Sequence, residues 1–231
     1  MFTSFAYVTV DQVRENGIPD TLIADAKLRR LIRELSHWIN RLTHQWFLPV
    51  RLKLKVDGQH GSVAYSPNLI PILDFFSLRF TKEGLFDLEL PNVSYQVKAR
   101  YVMMLTHTMR LPSMPHFVVL DGVFGWLVDD YTKVQCRTVA QLDVTQADIT
   151  AGEKEILVDS VAGIAPGDAI LIGSEPEPLS YPGIVKDVVS TAPLKIIFEP
   201  IVPFSLPSGT KIVKYGRVPD RIQYAMMLLI R

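Results

Sequence analysis

The chain has 231 residues, of which 48% are hydrophobic and 21% charged, and its 24 Lys+Arg balance 24 Asp+Glu. That apolar share excludes wholesale disorder, and zero net charge removes the usual electrostatic case for a free-standing nucleic-acid binder. A single cysteine, Cys136, excludes an intrachain disulfide framework and a thiolate-based zinc site.

Neutrality also weakens the repulsion that keeps copies apart, which fits a chain working inside an assembly. The opening Met1-Phe2-Thr3-Ser4-Phe5 has no basic region and no long apolar run, so no signal peptide is expected. No run approaches the ~18 apolar residues of a membrane span. A cytoplasmic origin without membrane contact is the expectation.

Residues 1 to about 47 read as helical. Thr9 and Gln12 have the spacing of a capping box, in which each side chain bonds the other residue's free N–H. The short helix that follows is expected to stop at Asn16-Gly17. Pro19-Asp20 opens a longer one. Its Leu28, Leu31, Ile32, Leu35, Ile39, Leu42 and Trp46 fall on one helical stripe, and Pro49 ends it. The polar side carries Lys27, Arg29, Arg30, Arg33 and Arg41.

Residues 50 to about 126 change period. Leu52, Leu54 and Val56 alternate with Arg51, Lys53 and Lys55, which predicts a half-buried strand. Asp57-Gly58 reads as a turn, and strand-like runs follow at 70–81, 85–90, 93–106 and 117–123. Lys82-Glu83-Gly84 and Pro91-Asn92 read as hairpin turns. The pattern predicts one antiparallel sheet with a face for the preceding helix.

Residues 127–215 form a second β-rich block, with strands expected at 139–144, 155–158, 169–172, 183–189, 194–198 and 210–215. Six short strands with turns such as Ala165-Pro166-Gly167-Asp168 predict a small barrel or sandwich. Pro219 suits a first helical position and Asp220 the positive end of a helix dipole. In the helix 221–231, Ile222, Ala225, Met226 and Leu229 define one face, and Met227, Leu228 and Ile230 make the other sides apolar too. A helix apolar all round needs cover all round. It reads either as a core helix or as one shared between this chain and a partner.

Chemistry is sparse. His37 and His44 stand two turns apart on a helix, too few ligands for a metal without help from elsewhere. His60, His107 and His116 have no carboxylate close by in sequence. Asp129-Asp130 reads as a solvated loop, Cys136 as a structural or surface thiol, and Glu175-Pro176-Glu177-Pro178 as a stiff acidic connector. No phosphate loop, nucleophile elbow, dinucleotide fingerprint or zinc-protease helix is present. No catalytic, cofactor or metal residue is therefore assigned. The basic helix face reads as a solvated or intersubunit ion-pair face, and any DNA contact it made would be blind to sequence.

The order of motifs resembles a known family. Tyr7-Val8-Thr9-Val10-Asp11-Gln12-Val13 is followed by Gly17-Ile18-Pro19-Asp20, then by Trp38-Ile39-Asn40-Arg41-Leu42-Thr43 and Trp46-Phe47-Leu48-Pro49. Strands lead to Gly122-Val123-Phe124-Gly125-Trp126, and Val218-Pro219-Asp220-Arg221-Ile222-Gln223-Tyr224-Ala225 opens the last helix. This is similar to the head-to-tail adaptor (head completion, connector) proteins of tailed bacteriophages. In that family the glycine-aromatic strand runs almost directly into the last helix. Here residues 127–215 intervene and look like an inserted module. Its Val161-Ala162-Gly163-Ile164-Ala165-Pro166-Gly167-Asp168 stretch resembles small β modules of phage structural proteins.

The resemblance implies an α+β fold. N-terminal helices and a C-terminal helix pack on an antiparallel β-sheet, with an inserted small β-barrel or sandwich. Residues 1–126 plus 216–231 form the adaptor core and 127–215 the insert, which could then be deleted from 130 to 214 with the core still folded. It implies a homo-oligomeric ring, commonly of twelve, beneath the portal protein in the virion neck, assembled in the bacterial host cytoplasm. Such a ring extends the DNA channel and offers a surface to the next neck or tail protein, with no enzyme activity and no cofactor. Ile222, Met226, Met227, Leu229 and Ile230 become candidates for the portal or subunit interface. Lys27, Arg29, Arg30, Arg33 and Arg41 become candidates for a channel or intersubunit face, with sequence-independent DNA contact open.

Two other expectations stand beside this one. A different tail or baseplate protein would use the β block for adhesion or carbohydrate contact, through Tyr181, Phe198, Phe204 and Tyr215. A hydrolase would need a pocket with two convergent acids or a histidine–acid pair.

Overall fold

The structure is a computed structural model. It describes residues 5–57, 62–82, 86–105, 111, 117–127, 141–144, 151–152, 154–158, 160–173, 180–200, 205, 207 and 210–231. Among these residues three α-helices and three antiparallel sheets make a mixed, mostly β structure. Helix α1 (Val10–Glu15) starts with the expected capping box: Thr9 Oγ1 accepts the Gln12 N–H at 3.2 Å, and Gln12 Oε1 accepts the Thr9 N–H at 2.8 Å. Gly17, at φ 92°, turns the chain where a side chain would be strained.

Helix α2 (Asp25–Thr43) starts later than Pro19-Asp20 predicts and stops earlier than Pro49 predicts. It ends because His44 takes a left-handed conformation at φ 53°. Leu28, Ile32 and Ile39 are buried as the periodicity requires, whereas Leu42 is exposed and Trp46 lies beyond the helix. Ser36, polar but fully buried, sits on the same stripe. Its hydroxyl donates to the Ile32 carbonyl at 2.8 Å and accepts the Tyr7 N–H at 3.2 Å, so both groups are satisfied.

The region 50–126 forms two sheets instead of one. Strands β1 (Val50–Val56), β3 (Ile72–Lys82), β4 (Phe86–Glu89) and β7 (Val118–Phe124) make a four-stranded sheet in the order β1-β7-β3-β4. Strands β2 (Val63–Tyr65), β5 (Tyr95–Val97) and β6 (Tyr101–Met104) make a second sheet in the order β2-β6-β5. The run 93–106 is therefore two short strands, and Pro91-Asn92 opens a 3₁₀ turn (Asn92–Ser94) instead of a hairpin. Gly58, Glu83 and Gly84, in the other two expected turns, lie outside the described residues. Alternation decides the layering. Leu54, Leu78 and Leu120 share one face of the four-stranded sheet, and the cluster there includes Ala64, Tyr95, Val102 and Met104 from the other sheet.

The glycine-aromatic segment has a steric cause. A Cβ on Gly122 would lie 2.5 Å from the Asp74 carbonyl oxygen, and one on Gly125 2.5 Å from that of Leu48. Both are backbone atoms, so no side-chain adjustment could relieve the contact. Trp126 is then pinned. Its N–H donates to the Trp46 carbonyl, its indole N–H donates to the Gln45 side chain, and the Arg100 guanidinium lies 4.8 Å from its ring.

All six strands expected within 127–215 form: β8 (Gln141–Val144), β9 (Glu155–Leu157), β10 (Asp168–Gly173), β11 (Ser180–Val189), β12 (Lys195–Glu199) and β13 (Lys211–Arg217). They lie in one sheet, β8-β13-β10-β11-β12-β9, and among the described residues its two edge strands do not pair to close a barrel. Helix α3 (Asp220–Ile230) follows directly, with Pro219 at its N-cap and not at its first turn. One core cluster joins Tyr7, Val13, Leu28 and Ile32 to Ala169, Leu171, Ile184 and Tyr215, and to Met226 and Ile230. The helices thus pack on the sheet of residues 127–215 as well as on the Val50 and Val123 end of the four-stranded sheet. The core crosses the boundaries expected at 126/127 and 215/216.

Candidate functional site

Several ties fasten α1 to its surroundings. Glu199, a buried residue at the end of β12, accepts the Val10 N–H at 3.0 Å with one carboxylate oxygen, satisfying a free donor of the helix start. Lys186 pairs with Asp11 at 2.8 Å, and that hydrogen bond raises the ammonium pKa. Gln12 reaches Gln223 of α3 at 3.5 Å. Arg14 holds the start of α2 by bonding Asp25 at 2.7 Å and the Ile23 carbonyl at 2.6 Å, and it keeps the Asp25 carboxyl below the usual range.

These ties consume part of the basic face. Arg29 stands 3.7 Å from Asp25 and 3.8 Å from Glu199, and Arg30 holds Glu34 at 2.7 Å. Lys27, Arg33 and Arg41 are exposed and make no ion pair among the described residues. The five predicted cations therefore divide into two paired with acids of this chain, of which Arg30 is itself exposed, and three without an ion pair among the described residues. His37 lies between Arg33 and Arg41, edge-on to Phe5 at 5.5 Å between ring centres. Burial, then those two guanidinium groups, lower its pKa, so it is neutral at pH 7.

The terminal helix is two-faced. Met226 and Ile230 are buried in this chain's own core, so they are corrected from interface candidates to packing residues. Ile222 and Met227 pack partly against the same cluster. Only Leu229 of the five predicted positions is strongly exposed, at 45%. It is joined by Leu228 at 52%, expected among the helix's other apolar sides, and by Tyr224 at 64%. Tyr224 and Leu228, one turn apart, share a face, Leu229 stands about 100° round from Leu228, and exposed Arg221 and Arg231 lie on the same outward half of the helix.

A cavity of about 520 Å³ lies between α2 and the ends of β11 and β12. Val8, Ile32 and Tyr181 line it on the apolar side, and Arg29, Arg33 and Lys154 on the charged side. Among the described residues its one acid, Glu199, is committed to Val10 and Arg29, and no histidine lines it. Among the described residues it brings together no pair of convergent acid–base groups. Asp168, the most deeply buried of three buried acids among the described residues, accepts the Ala165 N–H at 2.8 Å and pairs with Lys214 and Arg217, at 2.7 and 3.1 Å. Its Pro-Gly-Asp turn was the signal that it serves the backbone. No group of three or more histidine, cysteine or acidic residues converges among the described residues. His60, His107, His116, Asp129, Asp130, Cys136, Glu175 and Glu177 lie outside them.

Three of the four aromatics expected for carbohydrate contact are internal. Tyr181, Phe198 and Tyr215 are buried in core clusters, and Phe204 lies outside the described residues. Sugar stacking needs an open ring face, which these three do not offer.

No protein-family model, no curated protein and no solved structure matches this chain.

Proposed function

We propose that this chain is a structural subunit of a tailed-virus neck: a head-to-tail adaptor that forms a ring beneath the portal and extends the DNA channel. Residues 1–126 and 216–231 are the adaptor core in this reading, and 127–215 are an added β module packed against its helices. The order of capped helix, long helix, strands, glycine-aromatic strand and Pro-Asp helix supports it. The observation that carries it is the exposed apolar side of α3, Tyr224, Leu228 and Leu229, on the helix that the resemblance assigns to partner contact. Such a strip is costly in water and gains by being covered. The partly neutralised basic face suits a wall past which DNA slides, since each free cation adds a phosphate contact that holds it.

The test is assembly. Purified chain examined by electron microscopy at high concentration is expected to form rings with an open channel. Leu229→Asp is expected to leave the chain folded and to abolish attachment to portal-bearing heads. A chain that stays monomeric at high concentration and binds no portal would overturn the adaptor reading.

A further inference from the structure

The cavity of about 520 Å³ beside α2 lies within the roughly 300–1,000 Å³ of small-molecule sites. Val8, Ile32 and Tyr181, all buried, form its apolar floor. One wall is α2 from Ala26 to Arg33, two turns and roughly 10 Å long. Lys154, just ahead of β9, also lines it. Among the described residues four cations and one acid line the cavity, and the acid is spent, because Glu199 accepts the Val10 N–H and faces Arg29. Neighbouring acids are spent too. Glu34, next to Arg33 in sequence, holds Arg30, and Glu155, next to Lys154, pairs with Lys195 at 2.9 Å. Arg33 and Lys154 are exposed and have no ion pair among the described residues. The lining is therefore complementary to a negative charge carried on an apolar body.

A peptide in that space would need partners for its own backbone donors and acceptors. The two strands that reach the cavity, β11 and β12, are paired on both sides within the six-stranded sheet, so neither offers an edge. The Ala151 N–H is taken by Ser205 Oγ at 3.3 Å, and the Lys154 carbonyl by the Phe198 N–H at 3.0 Å. An alkyl chain makes no such demand. Three bonds of an extended chain span about 3.5 Å, so the α2 wall matches roughly eight or nine bonds.

We propose that this cavity binds a medium-chain acyl anion, with a tail of about eight to ten carbons along α2 and its carboxylate drawn to Arg33 and Lys154. The apolar floor supplies most of the affinity, since burial of each methylene is favourable, and the two exposed cations select the sign of the head group. The site goes beyond the adaptor reading and does not depend on it, because every residue named for it belongs to one copy of the chain.

Calorimetric titration of the full chain with hexanoate, octanoate and decanoate, each below its micelle concentration, tests it. Each added methylene is expected to tighten binding about threefold to fourfold. Decyltrimethylammonium, with the same tail and the opposite head charge, is expected to bind about tenfold more weakly than decanoate, or less tightly still. R33A/K154A should weaken decanoate about tenfold, as two exposed charge contacts worth severalfold each. A26W, which sets an indole on the α2 wall, should abolish binding in a chain that still unfolds cooperatively. Should A26W fail to fold, R33A/K154A decides alone, because both of its side chains are exposed. No binding of decanoate, equal affinity for the two head charges, or undiminished binding by folded A26W overturns the site. Binding to anionic phospholipid vesicles with none to decanoate overturns it in favour of a lipid surface. Ring formation by the same samples is read separately, so loss of this site leaves the adaptor reading standing.

Discussion

Shortening Met226 to alanine removes a side chain with 0% exposure from the cluster shared by α1, α2, α3 and the six-stranded sheet. Truncating a buried methionine costs about 2–5 kcal/mol, through lost transfer energy and the cavity left behind. Leu229 lies three residues on and is 45% exposed. Full burial of a leucine is worth roughly 1.5–3 kcal/mol, so a little over half of that, about 1–1.5 kcal/mol, bounds the cost of Leu229→Ala. Both changes end in alanine on the same helix, so propensity gains nearly cancel. Urea unfolding followed by tryptophan fluorescence reads the difference, because Trp46 and Trp126 pack partly into the core. With a denaturant slope of about 3 kcal/mol/M, M226A should lower the midpoint by about 1 M and L229A by under 0.5 M. Equal shifts would mean that the inward and outward faces of α3 are misassigned.

Gly125→Ala should cost about 2–3 kcal/mol, because its Cβ meets a backbone carbonyl. Gly163→Ala has open space around it and only its φ of 79° against it, so about 1 kcal/mol is expected; equal losses in thermal unfolding would refute the steric account. His37 should make stability fall on acidification. Its folded pKa lies below the unfolded value of about 6.5, so the unfolded chain takes the proton first. Stability is full above about pH 7 and declines as pH falls through 6.5 toward the lowered folded value. His37→Phe keeps an aromatic edge on Phe5 and should flatten that decline. A wild-type to H37F midpoint difference that is the same at pH 7.5 and 5.5 would count against it.

Local chemistry was legible where one or two neighbours decide it. The Thr9–Gln12 box, the Asn16-Gly17 stop and the six strands of the second block depend on residues close in sequence. Sheet membership was not, because β1 pairs with β7 across most of the region and no short-range signal reports that. The single sheet expected there is two for this reason. Helix α3 failed differently. Apolar residues on every side leave the hydrophobic pattern without a phase, so burial of Met226 and exposure of Leu228 could not be read from spacing. Ser36 was missed because a serine on an apolar stripe looks like a break until Tyr7 supplies its donor. Deleting 130–214 would remove Ala169, Leu171 and Ile184, which share a core cluster with the helices.

The burial of residues 5–13 beneath α3 bears on biosynthesis. Phe5, Tyr7, Val8, Val10 and Val13 share their core with Met226 and Ile230, and Arg231 donates to the Asn16 carbonyl at 2.9 Å. A ribosome adds about 5–20 residues per second, so the first helix waits roughly 10–40 s for the last. During that wait the nascent chain carries an uncovered apolar segment, the condition under which chaperones engage. Aggregation of this protein should therefore respond more to the speed of translation and to holdase supply than to the stability of the finished fold.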